Sequence, residues 1–370
     1  MNKKVPFFNY QFFQEEHGQA VSEIMSDVIT RGAFIMQKDL IEFEEKLADF
    51  LGVKYAIGVA NCTDGLAMSL DSVGIGPGDE VIFPSHTFVA TAGAIHEVGG
   101  KGVPVECGSD HLIDPTKIEE WITPNTKAIM PVQLNGRVAQ MDIIEKIATK
   151  HGLIIIEDAA QSLGAKYKGK GAGTYGQAAA FSFYPAKVLG CFGDGGGVVT
   201  NNNNIAEEIF ACRDHGRNPK TGVVDRWGRN SRLDNIHAAV LTYFLDQYPE
   251  VMKRRREMAA LYDYNLTGVN HLTLPPPPTE NGDHFDIYQN YEIEANDRDN
   301  LQKSLGENNI GTLKQWGGDA VHQFKELGFD SSLPYTERMI SRSFMVPLNM
   351  ALKDDDINYV CNKIKKFYNA

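Results

Sequence analysis

Residues 178–200 read AAAFSFYPAKVLGCFGDGGGVVT, and residues 153–162 read LIIIEDAAQS. In the first, an apolar run from Ala178 is bounded by Pro185 and by Gly193 and Gly195 to Gly197, the pattern of a buried strand running into a loop. Lys187 sits at the turn. A lysine held against a core wall has its pKa lowered by desolvation, which frees its amine to attack an aldehyde. A surface lysine on a loop is the competing reading, and lysines are mostly exposed. In the second stretch Leu153 to Ile156 form a continuous apolar run, as in a parallel strand covered on both faces. Glu157 and Asp158 close it at the carboxyl end, where open α/β sheets place their ligands. Taken alone, Asp158 reads equally well as the N-cap of a helix starting at AAQS.

The two stretches gain meaning together. Asp158 precedes Lys187 by 29 residues. A carboxylate for a pyridinium nitrogen and a lysine for a Schiff base are what a pyridoxal phosphate enzyme needs. EDAAQS (157–162), FSFYPAK (181–187) and GDGGGVVT (193–200) jointly resemble the DegT/DnrJ/EryC1/StrS family of nucleotide-sugar aminotransferases, which are fold-type I pyridoxal phosphate enzymes. The resemblance runs from about Asn9 to Tyr368 and is weakest over residues 215–230 and 275–325. It implies an α/β fold-type I transferase, with a large cofactor-binding domain over residues 1–248 that includes an N-terminal helical segment. That domain would carry a mainly parallel mixed sheet flanked by helices, followed by a smaller α+β C-terminal domain over residues 249–370.

The 370 residues suffice for one large and one small domain. With 42% hydrophobic and 23% charged residues the composition is that of a soluble globular protein. No 18-residue apolar run is present, so no transmembrane helix is expected. The N-terminus lacks an apolar core and cleavage site, which reads as a mature cytoplasmic chain. The net charge of −12 argues against nucleic acid, and leaves an anionic substrate to be held by local cations and backbone amides. Five cysteines without zinc spacing fit a reducing compartment, and Cys62 and Cys191 read as packing residues.

Along the chain, strand and helix patterns alternate, which indicates a parallel sheet with crossovers. The helical pattern from Gly18 stops at Gly32; the resemblance places this GAFI turn near the substrate, and a C-cap glycine explains it as well. Tyr55 to Val59 read as a strand and Gly65 to Val73 as a helix, with Asn61-Cys62-Thr63-Asp64 between them. A helix N-terminus suits a phosphate, although Thr63 or Asp64 could simply cap it. The resemblance assigns Cys62 and Thr63 to the phosphate cup; the family usually has Gly or Ala where Cys62 stands. Phe88 follows the next strand; the resemblance implies that it stacks on the pyridine ring, and packing in a core explains it as well. Asn135 stands where relatives often carry an aromatic facing the substrate. Gln161, one turn past Asp158 in the expected helix, can face the same side, and the resemblance implies that it approaches the cofactor's phenolic oxygen. The resemblance also implies that Ser182 binds the phosphate, with a bond to backbone as the alternative.

In GRNSRLDNIHAAV (228–240) the resemblance carries Asn230 across a homodimer interface to the partner's cofactor phosphate, with Arg232 holding the loop. The long charged helix after Tyr248 leads into the small domain, and IYQNYEIEA (287–295) alternates as a half-exposed strand. Trp316, in an unusual QWGG segment, either stacks on a base or sugar or anchors the small domain. The resulting expectation is a cytoplasmic, homodimeric aminotransferase using pyridoxal 5'-phosphate, with Lys187 and Asp158 catalytic. It would move an amino group from an amino acid such as L-glutamate to a keto-sugar on a nucleoside diphosphate. The Asn-Ser-Arg-Leu-Asp form leans to C3 of the sugar, with C4 the alternative. A dehydratase of the same family would carry histidine in place of Lys187. A non-catalytic binding protein is disfavoured by the complete lysine, aspartate, glutamine and serine set. No metal site is expected.

Overall fold

The structure is a computed structural model that describes residues 3–369; Met1, Asn2 and Ala370 lie outside the described residues. Two helices, α1 (Gln11–Arg31) and α2 (Lys38–Leu51), open the chain. Each ends on a glycine in the left-handed region, Gly32 at φ 63° and Gly52 at φ 67°, which a side chain adopts only with strain. Then follow β1 (Tyr55–Val59), α3 (Cys62–Ser72), β2 (Glu80–Pro84), α4 (Val89–Glu97), β3 (Lys101–Val105), β4 (Thr126–Ile129), α5 (Met141–His151) and β5 (Ile154–Asp158). A short hairpin, β6 (Lys166–Tyr167) and β7 (Lys170–Gly171), precedes β8 (Ala178–Ser182), β9 (Gly196–Thr200), α6 (Asn203–Cys212) and α7 (Asn235–Leu266). The remainder comprises β10 (Leu272–Thr273), β11 (His284–Phe285), β12 (Tyr291–Ala295), α8 (Arg298–Glu307), α9 (Pro334–Arg342), β13 (Ser343–Val346) and α10 (Asp354–Tyr368).

The main sheet has seven strands in the order β1-β9-β8-β5-β4-β2-β3. β9 pairs antiparallel with both β1 and β8, while the other neighbours pair in parallel. It is therefore the mainly parallel mixed sheet expected. Both faces are covered, as the apolar run of β5 requires. One core gathers Ile57, Leu66, Phe83, Ile156 and Val198; another, with α2 and the start of α7, gathers Phe43, Phe181, Phe183 and Leu241. Alternation within β5 separates two adjacent acids, because successive side chains point to opposite faces. Glu157 turns to one side, where four N–H groups (Gln133 Nε2 and the amides of Gly173, Tyr175 and Gly176) satisfy its carboxylate at 2.7–2.9 Å. Asp158 turns to the other.

The antiparallel sheet β10-β12-β13 has a core of its own, containing Met258, Tyr262, Tyr291, Leu301, Phe344 and Ile364. Several expectations shift here. The boundary placed between Tyr248 and Pro249 falls inside the single continuous helix α7, with Pro249 within it. Val5 bridges to Ile310 and is fully buried in the core of the β10-β12-β13 sheet. β12 is not half-exposed: it is the middle strand of its sheet, and Tyr291, Glu292, Ile293 and Ala295 are buried. α1 begins at Gln11 rather than Gly18, and α3 at Cys62 rather than Gly65.

Candidate active site

The carboxyl ends of β1, β2, β4, β5 and β8 deliver Cys62 and Thr63, Phe88, Asn135, Asp158 and Gln161, and Ser182 and Lys187 to one edge of the sheet. Asp158 is 5% exposed. Its Oδ2 accepts from Thr91 Oγ1 at 2.7 Å, and Thr87 Oγ1 lies 2.7 Å behind that hydroxyl. Its Oδ1 accepts from the Ala160 amide at 3.2 Å, but the helix expected at AAQS is absent: residues 159–165 form turns, so Asp158 is no helix N-cap and retains lone pairs for another donor. Burial pushes its pKa up; the Thr91 and Ala160 bonds and the charge of Lys187 oppose this. Burial pushes the Lys187 pKa down, against the charge of Asp158. Desolvation of the space they share raises the neutral fraction of the amine, and the Asp158 charge works against it.

Lys187 is not on a free loop. Its amide donates to Tyr184 O at 2.8 Å. Gln289, from the segment before β12, brackets it: Gln289 Nε2 donates to Ala186 O at 2.9 Å and Gln289 Oε1 accepts from the Val188 amide at 2.9 Å. The backbone of this segment is held by Arg255 on α7, whose buried guanidinium donates to Tyr288 O, Gln289 O and Leu348 O at 2.8–3.0 Å.

The first turn of α3 has the makings of an anion site. Asn61 is the N-cap, its Oδ1 accepting from the Asp64 amide at 2.8 Å, so neither Thr63 nor Asp64 caps the helix. Among the described residues the Cys62 and Thr63 amides and the Thr63 hydroxyl have no hydrogen-bond partner. Unpartnered amides at a helix N-terminus favour a phosphate. Gly196 lets β9 pass this turn: a Cβ there would lie 2.4 Å from the Asn61 carbonyl carbon. The Cys62 thiol lies near Asp158 and Lys187, and burial together with the Asp158 charge raises its pKa well above the usual value. It stays a neutral packing group. Ser182 Oγ accepts from the Tyr184 amide at 3.3 Å, so the backbone alternative holds in part and its hydroxyl proton is available to donate. Phe88 is 53% exposed and its ring lies 6.4 Å from that of Trp316, so it is not a core residue. The residues present thus fit pyridoxal phosphate: unpartnered amides and the Thr63 hydroxyl for the phosphate, an exposed aromatic ring in Phe88, and a buried carboxylate and a buried amine in each other's field.

The chain matches the model of the DegT/DnrJ/EryC1/StrS aminotransferase family over residues 14–365. It belongs to that family. The aminotransferase is 39% identical over 316 residues to a dTDP-3-amino-3,4,6-trideoxy-alpha-D-glucose transaminase of Streptomyces venezuelae, covering 85% of this chain and 82% of that one. It is 37% identical over 335 residues to a UDP-2-acetamido-2-deoxy-3-oxo-D-glucuronate aminotransferase of Pseudomonas aeruginosa, covering 90% and 92%. Its structure is similar to that of S. venezuelae DesV in complex with a ketimine intermediate, with a TM-score of 0.94, 35% identity and 99% of each chain covered.

Other expected residues of the aminotransferase stand further out. Asn230 is exposed, on a bridge to Asp214, and Arg232 pairs with Asp214 at 2.8 Å, which holds the loop. Gly32 is the exposed C-cap of α1. The turn after it is held by Asn235, which sequence reasoning passes over. This fully buried amide donates to Ala33 O at 2.7 Å and Asp39 Oδ2 at 2.6 Å, and accepts from the Leu40 amide at 2.9 Å. Trp316, at φ 49°, packs edge-on against His86 at 5.2 Å, so the QWGG segment anchors beside the carboxyl end of β2.

Asn135 corrects an expectation. Its amide is committed to protein partners: Nδ2 to Glu292 at 2.8 Å, Oδ1 to Asn290 at 2.9 Å and Gln315 at 2.8 Å. That is a brace between the main sheet and the segments around β12 and Gln315 rather than a substrate contact. Glu292 is itself the centre of a buried cluster with His111 Nδ1 at 2.8 Å and His86 Nε2 at 3.6 Å. The facing atoms of these three side chains lie within 4.8 Å of one another, an arrangement that sequence spacing does not reveal. Burial would neutralise Glu292, but the charge of His86 and the bonds from His111 and Asn135 outweigh it and hold its pKa at about 2. Burial opposes the charge on His111 also, yet Glu292 and Glu294 push its pKa up to about 9.

Proposed function

We propose that the protein transfers an amino group from an amino acid, L-glutamate by preference, to C3 of a keto-sugar carried on a nucleoside diphosphate. Support for C3 comes from the relatives named as 3-amino and 3-oxo sugar aminotransferases and from the Asn-Ser-Arg-Leu-Asp segment. The observation that carries the reading is the placement of Lys187 and Asp158 at neighbouring strand ends in one desolvated space, beside unpartnered amides at the start of α3.

Pyridoxal phosphate, when bound, supplies an electron sink for the carbanion at the substrate carbon. Every remaining task falls to the chain. Lys187 supplies the amine that holds the cofactor and, once released, moves the proton between the two carbons as base and then acid. Its lowered pKa suits both duties. Asp158, fixed by Thr91, keeps the ring nitrogen protonated by charge. The Cys62 and Thr63 amides with the Thr63 and Ser182 hydroxyls hold the phosphate, and Phe88 covers the ring. Exposed Ile29, Phe34, Ile35, Phe192, Val223 and Val224 support a homodimer whose partner brings Asn230 to the phosphate.

The experiment is to convert the loaded protein with L-glutamate, remove the donor, and offer a panel of nucleotide-linked 3-keto and 4-keto sugars. Product mass and position of the nitrogen should report C3 amination. Amination at C4 alone would overturn the regiochemistry. Failure of every amino acid to bleach the visible cofactor band would overturn the enzymatic reading in favour of a binding protein.

A further inference from the structure

A side-chain amide has a donor end and an acceptor end, and only neighbours with a fixed role decide which way it points. Two such neighbours stand at opposite ends of a chain of amides beside Asp158. At one end is the Glu292 carboxylate, an acceptor, between His86 and His111. Asn135 must therefore turn Nδ2 toward it, at 2.8 Å, and Oδ1 away. That Oδ1 accepts from Asn290 Nδ2 at 2.9 Å, and the same Nδ2 reaches Gln161 Oε1 at 3.3 Å. At the other end is the backbone N–H of Asn135, a donor by constitution, which also meets Gln161 Oε1, at 2.9 Å. Both routes give the same polarity. Gln161 Oε1 faces the protein, and Nε2 has no partner among the described residues.

Resting on the proposed cofactor reading, we infer that Asn290 is a positioning residue whose donated hydrogen bond, relayed from Glu292 through Asn135, locks Gln161 so that its Nε2 donates to the ring oxygen of the cofactor. Gln161 follows Asp158 by three residues in the turn at the same carboxyl end of the sheet, and Asp158 takes the ring nitrogen. A locked donor stabilises the anionic form of the ring oxygen and weakens that oxygen's hold on the proton of the adjacent nitrogen contributed by Lys187. The visible band of the loaded protein then titrates at lower pH than it would otherwise. The segment Gln289–Glu292 thereby reaches the cofactor from two sides, through the Lys187 turn and through Gln161.

The test is a spectral pH titration of the loaded protein without substrate. Asn290→Asp replaces the donor with an acceptor that repels Gln161 Oε1 and inverts the amide. The band's pKa should rise by about one unit, a tenfold gain in proton affinity. Asn290→Ala keeps the Asn135 N–H and should give a smaller rise, which serves if the aspartate variant does not fold. The direct effect of the carboxylate charge that Asn290→Asp introduces is separated by repeating both substitutions in a Gln161→Ala background, where most of each rise should vanish. An unmoved titration, or the same rise with Gln161 absent, overturns the inference. If the wild type forms no visible band with pyridoxal phosphate, the cofactor reading itself fails, which is a different result.

Discussion

The buried His111–Glu292 pair makes stability depend on pH in a defined window. His111 has a folded pKa of about 9 against 6.5 for the unconstrained side chain. Between those values the folded protein binds a proton that the unfolded chain has released, so stability falls as pH rises. The contribution is complete below about pH 6.5 and gone above about pH 9. A gap of two to three pKa units corresponds to about 3 kcal/mol. The opposing arm, Glu292 with its pKa held at about 2, contributes above about pH 4.5 and fails only in strong acid, outside this window. The assay is the urea midpoint of wild type and His111→Gln from about pH 6 to pH 9.5. Titrating groups away from His86, His111, Glu292 and Glu294 are common to both proteins and cancel in the difference. The variant should be less stable by about 3 kcal/mol near pH 6, and the two curves should converge toward pH 9.5. A difference that stays constant across the window would refute the reasoning, because the loss would then come from packing rather than from a bound proton.

Three further outcomes follow from the same geometry. Asp158→Asn should keep the fold and bind cofactor while losing about 100-fold or more in kcat, since the charge on the ring nitrogen is no longer held; single-turnover kinetics with glutamate read this. Glu157→Gln turns an N–H₂ toward backbone amides that need an acceptor, and should cost about 2 kcal/mol in denaturation with the cofactor spectrum unchanged. Asn235→Ala leaves the Leu40 amide and Ala33 carbonyl without their buried partner; it should cost about 2 kcal/mol and speed hydrogen exchange over residues 33–40.

The residues legible in the sequence are those whose role is local. The apolar run before Glu157 and Asp158 announces a covered strand, glycine-bounded FSFYPAK announces a turn, and both survive because neighbours in sequence are neighbours in space there. The start of α3 is missed by three residues because Gly65 looks like a helix boundary, whereas Asn61 caps the helix and Gly65 is small to fit against Ala180 and Val198. The ties that Glu292 makes are not legible. Glu292 lies 181 residues from His111 and 157 from Asn135, and nothing in either segment points to the other. β12 reads as half-exposed because Glu292 and Glu294 alternate with apolar residues; one of those acids is buried by ion pairing, which a hydropathy pattern cannot register. Asn235 lies inside the GRNSRLDNIHAAV segment, yet an asparagine early in a helix carries no sign that it reaches back to residues 33–40.

The central claim is that the Lys187 amine holds the cofactor. Borohydride reduction of the loaded protein fixes any cofactor–lysine linkage, and peptide mass mapping then locates it. The account predicts a single modified peptide, carrying the cofactor on Lys187, and no modification in Lys187→Ala. Cofactor bound tightly but fixed to another lysine, or to none, would contradict it.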